Sequence, residues 1–295
     1  MRSPNTAALF AALKLESWAN IVAAFALKLI CDKTKNMELI TLLDQKQYEK
    51  AKLLNKMTND DFYYGELAQL ALSSSAIKLL HDSPKKYHYV TNYGGPETQG
   101  LRDGWLLHCL LLEPEKFDKQ IFVDVQSKNT KAYKEAAAEN ADRVFTVKEK
   151  NQAERLADAV LKNEQALRLL NNSKFEVPVI GNVLGMPFRG KADILSANGI
   201  CDIKTTSDIK AFPYAAKKYG YDIQVYLYCE LFGVQYFDFK FLVIDKSSLD
   251  LGIWDCSEEF YLSGKQKVKL GIDTFVKYFM KQEIEVNDYI IKGTL

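Results

Sequence analysis

Asp193, Asp202 and Lys204 sit in "RGKADILSANGICDIKTT", residues 189–206, a stretch whose other residues read largely as strand. Aspartate is a poor strand former, yet both aspartates lie inside apolar runs. Two carboxylates can hold Mg²⁺, which prefers oxygen ligands and keeps several waters. A lysine two residues further along can orient or deprotonate a metal-bound water, or neutralise charge growing on a phosphate in the transition state. The plainer alternative is a solvated edge hairpin with an incidental cross-strand ion pair.

Asn198-Gly199 is the strongest short hairpin signal in the chain, because both residues tolerate the positive φ of a type I′ turn. With those two residues as the loop, Ala197 pairs with Ile200, Ser196 with Cys201, Leu195 with Asp202 and Asp193 with Lys204. Side chains alternate with period two. Asp193, Asp202 and Lys204 then share one face, with Arg189 and Lys191 further down it. Phe188, Gly190, Ala192, Ile194 and Ile203 take the other.

Three satellites accompany this hairpin. His108 stands in the very apolar run "GWLLHCLLLEPEKF", either as a satisfied core histidine or as a metal ligand. Glu176 opens the preceding strand, as a surface residue or a further carboxylate. Gln224 and Tyr228, four apart, share one helix face, as polar rim residues or as contacts to a phosphate or base.

Stepping out to the elements, residues 44–57 and 61–72 read as helices. Residues 73–84 read as a serine-capped helix stopped by Pro84. Residues 100–117 form an apolar helix ended by Pro114, and 129–141 and 148–171 are charged, alanine-rich helices. Residues 174–195 switch to strand. Residues 213–233 return to helix with Gly233 as its cap. Residues 236–244 and 249–255 are strands, and a long amphipathic helix spans about 257–282. This order implies an α/β or α+β core with a central mixed sheet flanked by helices and a crossover helix between strands. The expected division is a helical N-terminal extension, 1–60, and a main domain, 61–295. The alanine- and leucine-rich segment "TAALFAALKLESWANIVAAFALKLI" is either a helix packed on that domain or an oligomer or partner contact.

Composition narrows the function classes. The chain has 295 residues, 47% hydrophobic, with a formal net charge of +1, so any basic surface is local. Lys204, Lys210, Lys217 and Lys218 are candidates for it. The five cysteines, at 31, 109, 201, 229 and 256, form no CxxC pair. That argues against a disulfide framework, a zinc ribbon or an iron–sulfur cluster, and points to a reducing cytoplasm. No run reaches the length of a membrane span.

Taken in order, Glu176, Gly190-Lys191-Ala192-Asp193, Asp202-Ile203-Lys204-Thr205 and Gln224-x-x-x-Tyr228 resemble the PD-(D/E)xK nuclease superfamily, in its RecB-like branch. "SSSAIKLLHDSPKKY" looks like that branch's Ser-rich helix, and "GWLLHCLLLEPEKF" like its histidine motif in phage-type exodeoxyribonuclease VIII (RecE) domains. The resemblance spans about residues 70–280 and implies a restriction-endonuclease-like core. It implies that Asp193 and Asp202 bind Mg²⁺, with Mn²⁺ able to substitute, and that His108 and the carbonyl of Ile203 complete the shell. Lys204 would be the catalytic lysine. Glu176 would support a second metal or the attacking water. Gln224, Tyr228 and Arg189 would contact DNA. Ala192 replaces the motif's leading proline, and Ser83 stands where iron–sulfur relatives use cysteine, so no cluster is expected.

The implied activity is a Mg²⁺-dependent 5′→3′ exonuclease on double-stranded DNA ends, acting in recombination as a ring-shaped trimer or tetramer, with a single-strand annealing protein as partner. The alternatives are a single-strand or structure-specific RecB- or Cas4-like nuclease, or a catalytically silent DNA-end-binding subunit. A 5′-end nuclease wants a pocket for the terminal phosphate, and Arg102 and Ser75 are its candidates. Arg102 could instead pair with Asp103 or Glu97, and Ser75 could be a plain helix cap.

Overall fold

The computed structural model describes residues 38–140 and 143–294. The apolar N-terminal segment and Cys31 lie outside them. Residues 38–49 form a hairpin rather than a helix: β1, Leu39–Thr41, pairs with β2, Gln47–Glu49. Helix α1, Lys50–Lys56, follows, then a π-helical turn at Phe62–Glu66 and α2, Leu67–Leu70. Ile40, Leu42, Leu53 and Met57 pack against Ile180 of the main sheet in a cluster of their own.

Next come α3, Ser74–Asp82, and α4, Pro84–Tyr93. Pro84 begins a helix rather than only stopping one. Its missing N–H costs nothing at the first helical position, and Ser83 Oγ caps the turn by accepting from Lys86 N. Pro114 repeats this between α5, Gln99–Leu112, and α6, Pro114–Asp118. Strand β3, Ile121–Val123, runs parallel to β4, Val144–Thr146, with α7, Lys131–Glu139, between them. Helix α8, Val147–Lys162, starts on a capping box. Thr146 Oγ1 accepts from Glu149 N at 3.2 Å, and the Glu149 carboxylate accepts from Thr146 N at 2.8 Å. Helix α9, Glu164–Leu170, leads into the sheet.

The expected single strand at 174–195 is two. β5, Lys174–Val183, turns through Leu184 and Gly185, both at positive φ, into β6, Met186–Ser196. β7, Gly199–Thr206, follows. Then α10, Phe212–Lys218, and α11, Tyr221–Phe232, cross over to β8, Phe239–Asp245, which lies parallel to β7. β9, Leu251–Asp255, closes the sheet in the order β5-β6-β7-β8-β9, and α12, Glu258–Phe275, packs on α11. One face is covered by α3, α11 and α12 through Ile77, Tyr226, Phe241 and Val268. The other is covered by α5, α8 and α9 through Leu107, Leu156, Ile203 and Leu242.

The β6–β7 turn differs from the expected one. Ser196 pairs with Gly199 and Leu195 with Ile200, so Ala197 and Asn198 are the central residues. Neither has positive φ; Gly199 takes it instead, at 115°. A Cβ there would meet the Asp238 carbonyl oxygen at 2.0 Å, so only glycine fits. The register is therefore two residues from the expected one, and Asp202 does not face Leu195. The expected faces also change along β6. Phe188 and Ala192 belong with Ile200 in the cluster under α11, whereas Ile194 and Ile203 belong to the opposite cluster. The side-chain alternation breaks at Asp193.

Candidate active site

That break is where the site forms. The β5–β6 ladder pairs Phe175 with Ile194 and Val177 with Ala192 and omits Glu176 and Asp193 between them. Glu176 has φ +48°, a left-handed conformation that a non-glycine residue adopts at a cost of about 1–3 kcal/mol. The β6–β7 ladder stops at Ile194–Cys201. Beyond it the Asp193 side chain replaces a backbone partner, its Oδ2 accepting from Ile203 N at 2.8 Å.

Helix α5 brings His108 to this gap. Its Nε2 donates to the Ile203 carbonyl oxygen at 2.9 Å, and its Nδ1 lies 3.5 Å from Asp193 Oδ2. His108, Glu176 and Asp193 offer ligand atoms all within 4.8 Å of one another. Burial, then the charge of Asp202, raises the Asp193 pKa to about 6. Burial, then Asp193 and Glu113, raises Glu176 to about 8. Buried carboxyls that disfavour their own charge in this way want a cation. One imidazole, two carboxylates and a carbonyl suit Mg²⁺ or Mn²⁺, so the residues fit the divalent ion that the resemblance implies.

Asp202 is reached from the opposite face. It is 1% exposed, ion-paired with Lys204 Nζ, and its Oδ1 accepts from Gln224 Nε2 of α11 at 2.5 Å. Burial works against the Lys204 charge, but Asp202 and Asp193 outweigh it and hold its pKa up. Asp193 and Asp202 thus lie toward the two sides of a parted sheet rather than on one face, and Asp202 is not among the ligand atoms that gather with His108 and Glu176.

The expected DNA contacts take other roles. Gln224 is buried and orients Asp202. Tyr228 is buried, its hydroxyl donating to the Lys191 carbonyl at 2.9 Å and accepting from Lys191 N at 3.3 Å. Its ring fills the space a Cβ on Gly190 would need. Arg189 is buried, its guanidinium 4.4 Å from the centre of the Tyr63 ring.

Arg102 does not face a terminal phosphate. It is buried, pairs with Glu149 (2.9 Å) and Glu97 (2.8 Å), and donates to Val144 O and Tyr133 Oη. It also stacks 4.4 Å from the centre of the Phe145 ring. Ser75 is an exposed residue of the first turn; the cap of α3 is Ser73, whose Oγ accepts from Ala76 N. The reading from residue types also passed over Asp60, which joins Lys191 (3.0 Å) to Lys116. No local spacing marks a residue 131 positions from its partner.

The chain belongs to the family described as PDDEXK-like domain of unknown function (DUF3799), which matches residues 73–287. Among solved structures, a proposed exonuclease from Eubacterium rectale is similar over 80% of this chain and 95% of its own, with a TM-score of 0.59 at 15% identity. A phage-related exonuclease from Haemophilus somnus 129PT overlaps 54% of this chain and 90% of its own, with a TM-score of 0.30 at 19% identity. None of the curated proteins compared matches the chain. Among the described residues no helix is long and apolar enough to cross a membrane.

Proposed function

We propose that this protein is a metal-dependent deoxyribonuclease that hydrolyses phosphodiester bonds. The single observation that carries the reading is the parting of the strands beside β6, where Asp193 comes together with His108 and Glu176 while Asp202 pairs with Lys204 on the other side. Asp193, Asp202, His108 and the Ile203 carbonyl would hold a Mg²⁺ or Mn²⁺ ion, with Glu176 beside them. Such an ion supplies charge stabilisation to the phosphate and acidity to a bound water. Lys204 stabilises charge on the attacked phosphate and orients the incoming water. Gln224 holds Asp202 in place, and the Ile203 N–H and His108 hold Asp193. Water adds to phosphorus and one ester P–O bond breaks, leaving a phosphate monoester and a hydroxyl.

Within that reading the substrate is the end of double-stranded DNA, degraded 5′→3′ to leave a 3′ overhang for an annealing partner. The order of the motifs, which resembles that of phage-type exodeoxyribonuclease VIII domains, supports this finer statement. The assembly is a homo-oligomeric ring, since a 33.6 kDa monomer cannot surround a duplex unaided. A linear duplex blocked at its 5′ ends and free at its 3′ ends tests polarity. It should resist digestion, and its degradation would reverse the assignment. A plasmid-nicking assay run beside it separates end-dependent from internal cleavage.

A further inference from the structure

Lys78 of α3 lies half-buried beside the active site, with its ammonium 5.0 Å from the centre of the Tyr221 ring. Lys204 lies 5.0 Å from the centre of the same ring. Two cations therefore flank one aromatic at the mouth of the crossover. The nearby acids are already committed. Asp202 is bonded to Lys204 and Gln224, and Asp222 accepts from Ser263 Oγ at 2.7 Å and from Lys267 Nζ at 2.6 Å. Among the described residues, no carboxylate comes within ion-pair distance of Lys78.

The fold makes room for this side chain. Gly220, at φ +64°, lets the chain turn from α10 into α11, and a Cβ there would lie 3.4 Å from Lys78 Cγ. A lysine whose only task was to cover apolar surface would carry its ammonium out to water. This one is kept over Tyr221, where burial and then the charge of Lys204 depress its pKa to about 8. An anion near both ammonium groups would relieve that repulsion.

We propose that Lys78 binds a backbone phosphate of the nucleic-acid strand, adjacent to the phosphodiester that faces Lys204. This rests on the nuclease reading. A strand lying along β7 and Tyr221 presents successive phosphates, and Lys204 and Lys78 meet two of them. Lys78 is thus a substrate-binding residue that sets which phosphate reaches the metal site.

The test compares Lys78→Gln, Lys78→Met and Lys78→Arg, each in a Lys204→Ala background that prevents turnover, by binding to a short duplex over a range of salt. Lys78→Gln and Lys78→Met should weaken binding about tenfold, as loss of one charge-assisted phosphate contact does. They should also lower the slope of log affinity against log salt by about 1. Lys78→Arg should retain both. Methylphosphonates placed singly along the strand should reveal one position that weakens binding by the Lys78 protein and leaves Lys78→Gln unchanged. Melting curves with unaltered midpoints exclude a folding defect. Should the glutamine variant not fold, the methylphosphonate scan of the Lys78 protein still decides. The inference is overturned by unchanged affinity and slope, or by a scan with no sensitive neighbour of the cleaved phosphate. If wild type cleaves DNA and these results are flat, only this inference falls. If wild type neither binds nor cleaves DNA, the nuclease reading falls with it.

Discussion

Glu176 is held in a left-handed backbone conformation and holds a proton far longer than an ordinary carboxyl group. Its folded pKa, about 8, and that of Asp193, about 6, both lie above the unfolded values. The native state therefore keeps protons that the unfolded chain has released, so metal-free stability falls as pH rises from about 4 to about 8. Glu176→Gln should melt several degrees above wild type at pH 8 in chelator and close to it at pH 4. An unchanged difference across that range in thermal melts would remove the charge conflict. Gln224→Leu leaves Asp202 without its partner and should lower activity about 10–100-fold with DNA affinity retained, since partners of ligating groups act on that scale. Steady-state kinetics beside a binding titration checks this. The residue types of the site were legible in sequence because carboxylate, lysine and imidazole carry their chemistry with them. The left-handed Glu176 was not, because nothing in the types around Phe175-Glu176-Val177 signals it.

Helix ends were legible where the signal was local, as at the Gly233 cap, but 148–171 and 213–233, each expected as one helix, are two, broken at Asn163 and at Tyr219-Gly220. Three features depended on distant partners and were not legible. The β6–β7 turn moved by one residue because the Asp238 carbonyl leaves room for nothing beyond glycine at position 199. The break in side-chain alternation at Asp193 comes from a side chain filling a ladder position. Arg102 read as a phosphate ligand because its buried acceptors come from residues 97, 133, 144 and 149. Arg102→Ala should cost about 1–3 kcal/mol by leaving the buried Val144 carbonyl and Tyr133 hydroxyl without this donor, while Glu149 keeps its pairing with Lys128. It should leave any preference for 5′-phosphorylated ends unchanged among molecules that fold. Denaturant melts and an end-preference assay separate the two effects. Tyr228→Phe removes both bonds to the Lys191 backbone, so a loss of about 1–3 kcal/mol in stability is expected with no change in the salt dependence of DNA binding.

Among the described residues the main sheet has five strands whose faces are sealed by different helices, and the site lies where two of its central strands part between them. That placement lets α5 deliver His108 from one side while α11 delivers Gln224 from the other. The proposed ring assembly predicts a trimer or tetramer by light scattering at micromolar concentration, and a monomer both with and without DNA would contradict it. The central claim is that this gap hydrolyses DNA through a divalent metal and Lys204. It is tested most directly by incubating wild type, Lys204→Ala and Asp193→Asn with linear duplex, in Mg²⁺ and in excess chelator. Cleavage by wild type in Mg²⁺ alone, with both variants silent and Lys204→Ala still binding DNA within a few-fold, is the expected result. Cleavage that persists in chelator or in Lys204→Ala, or a wild type inert on duplex and single-stranded DNA with Mg²⁺ and Mn²⁺, would contradict it.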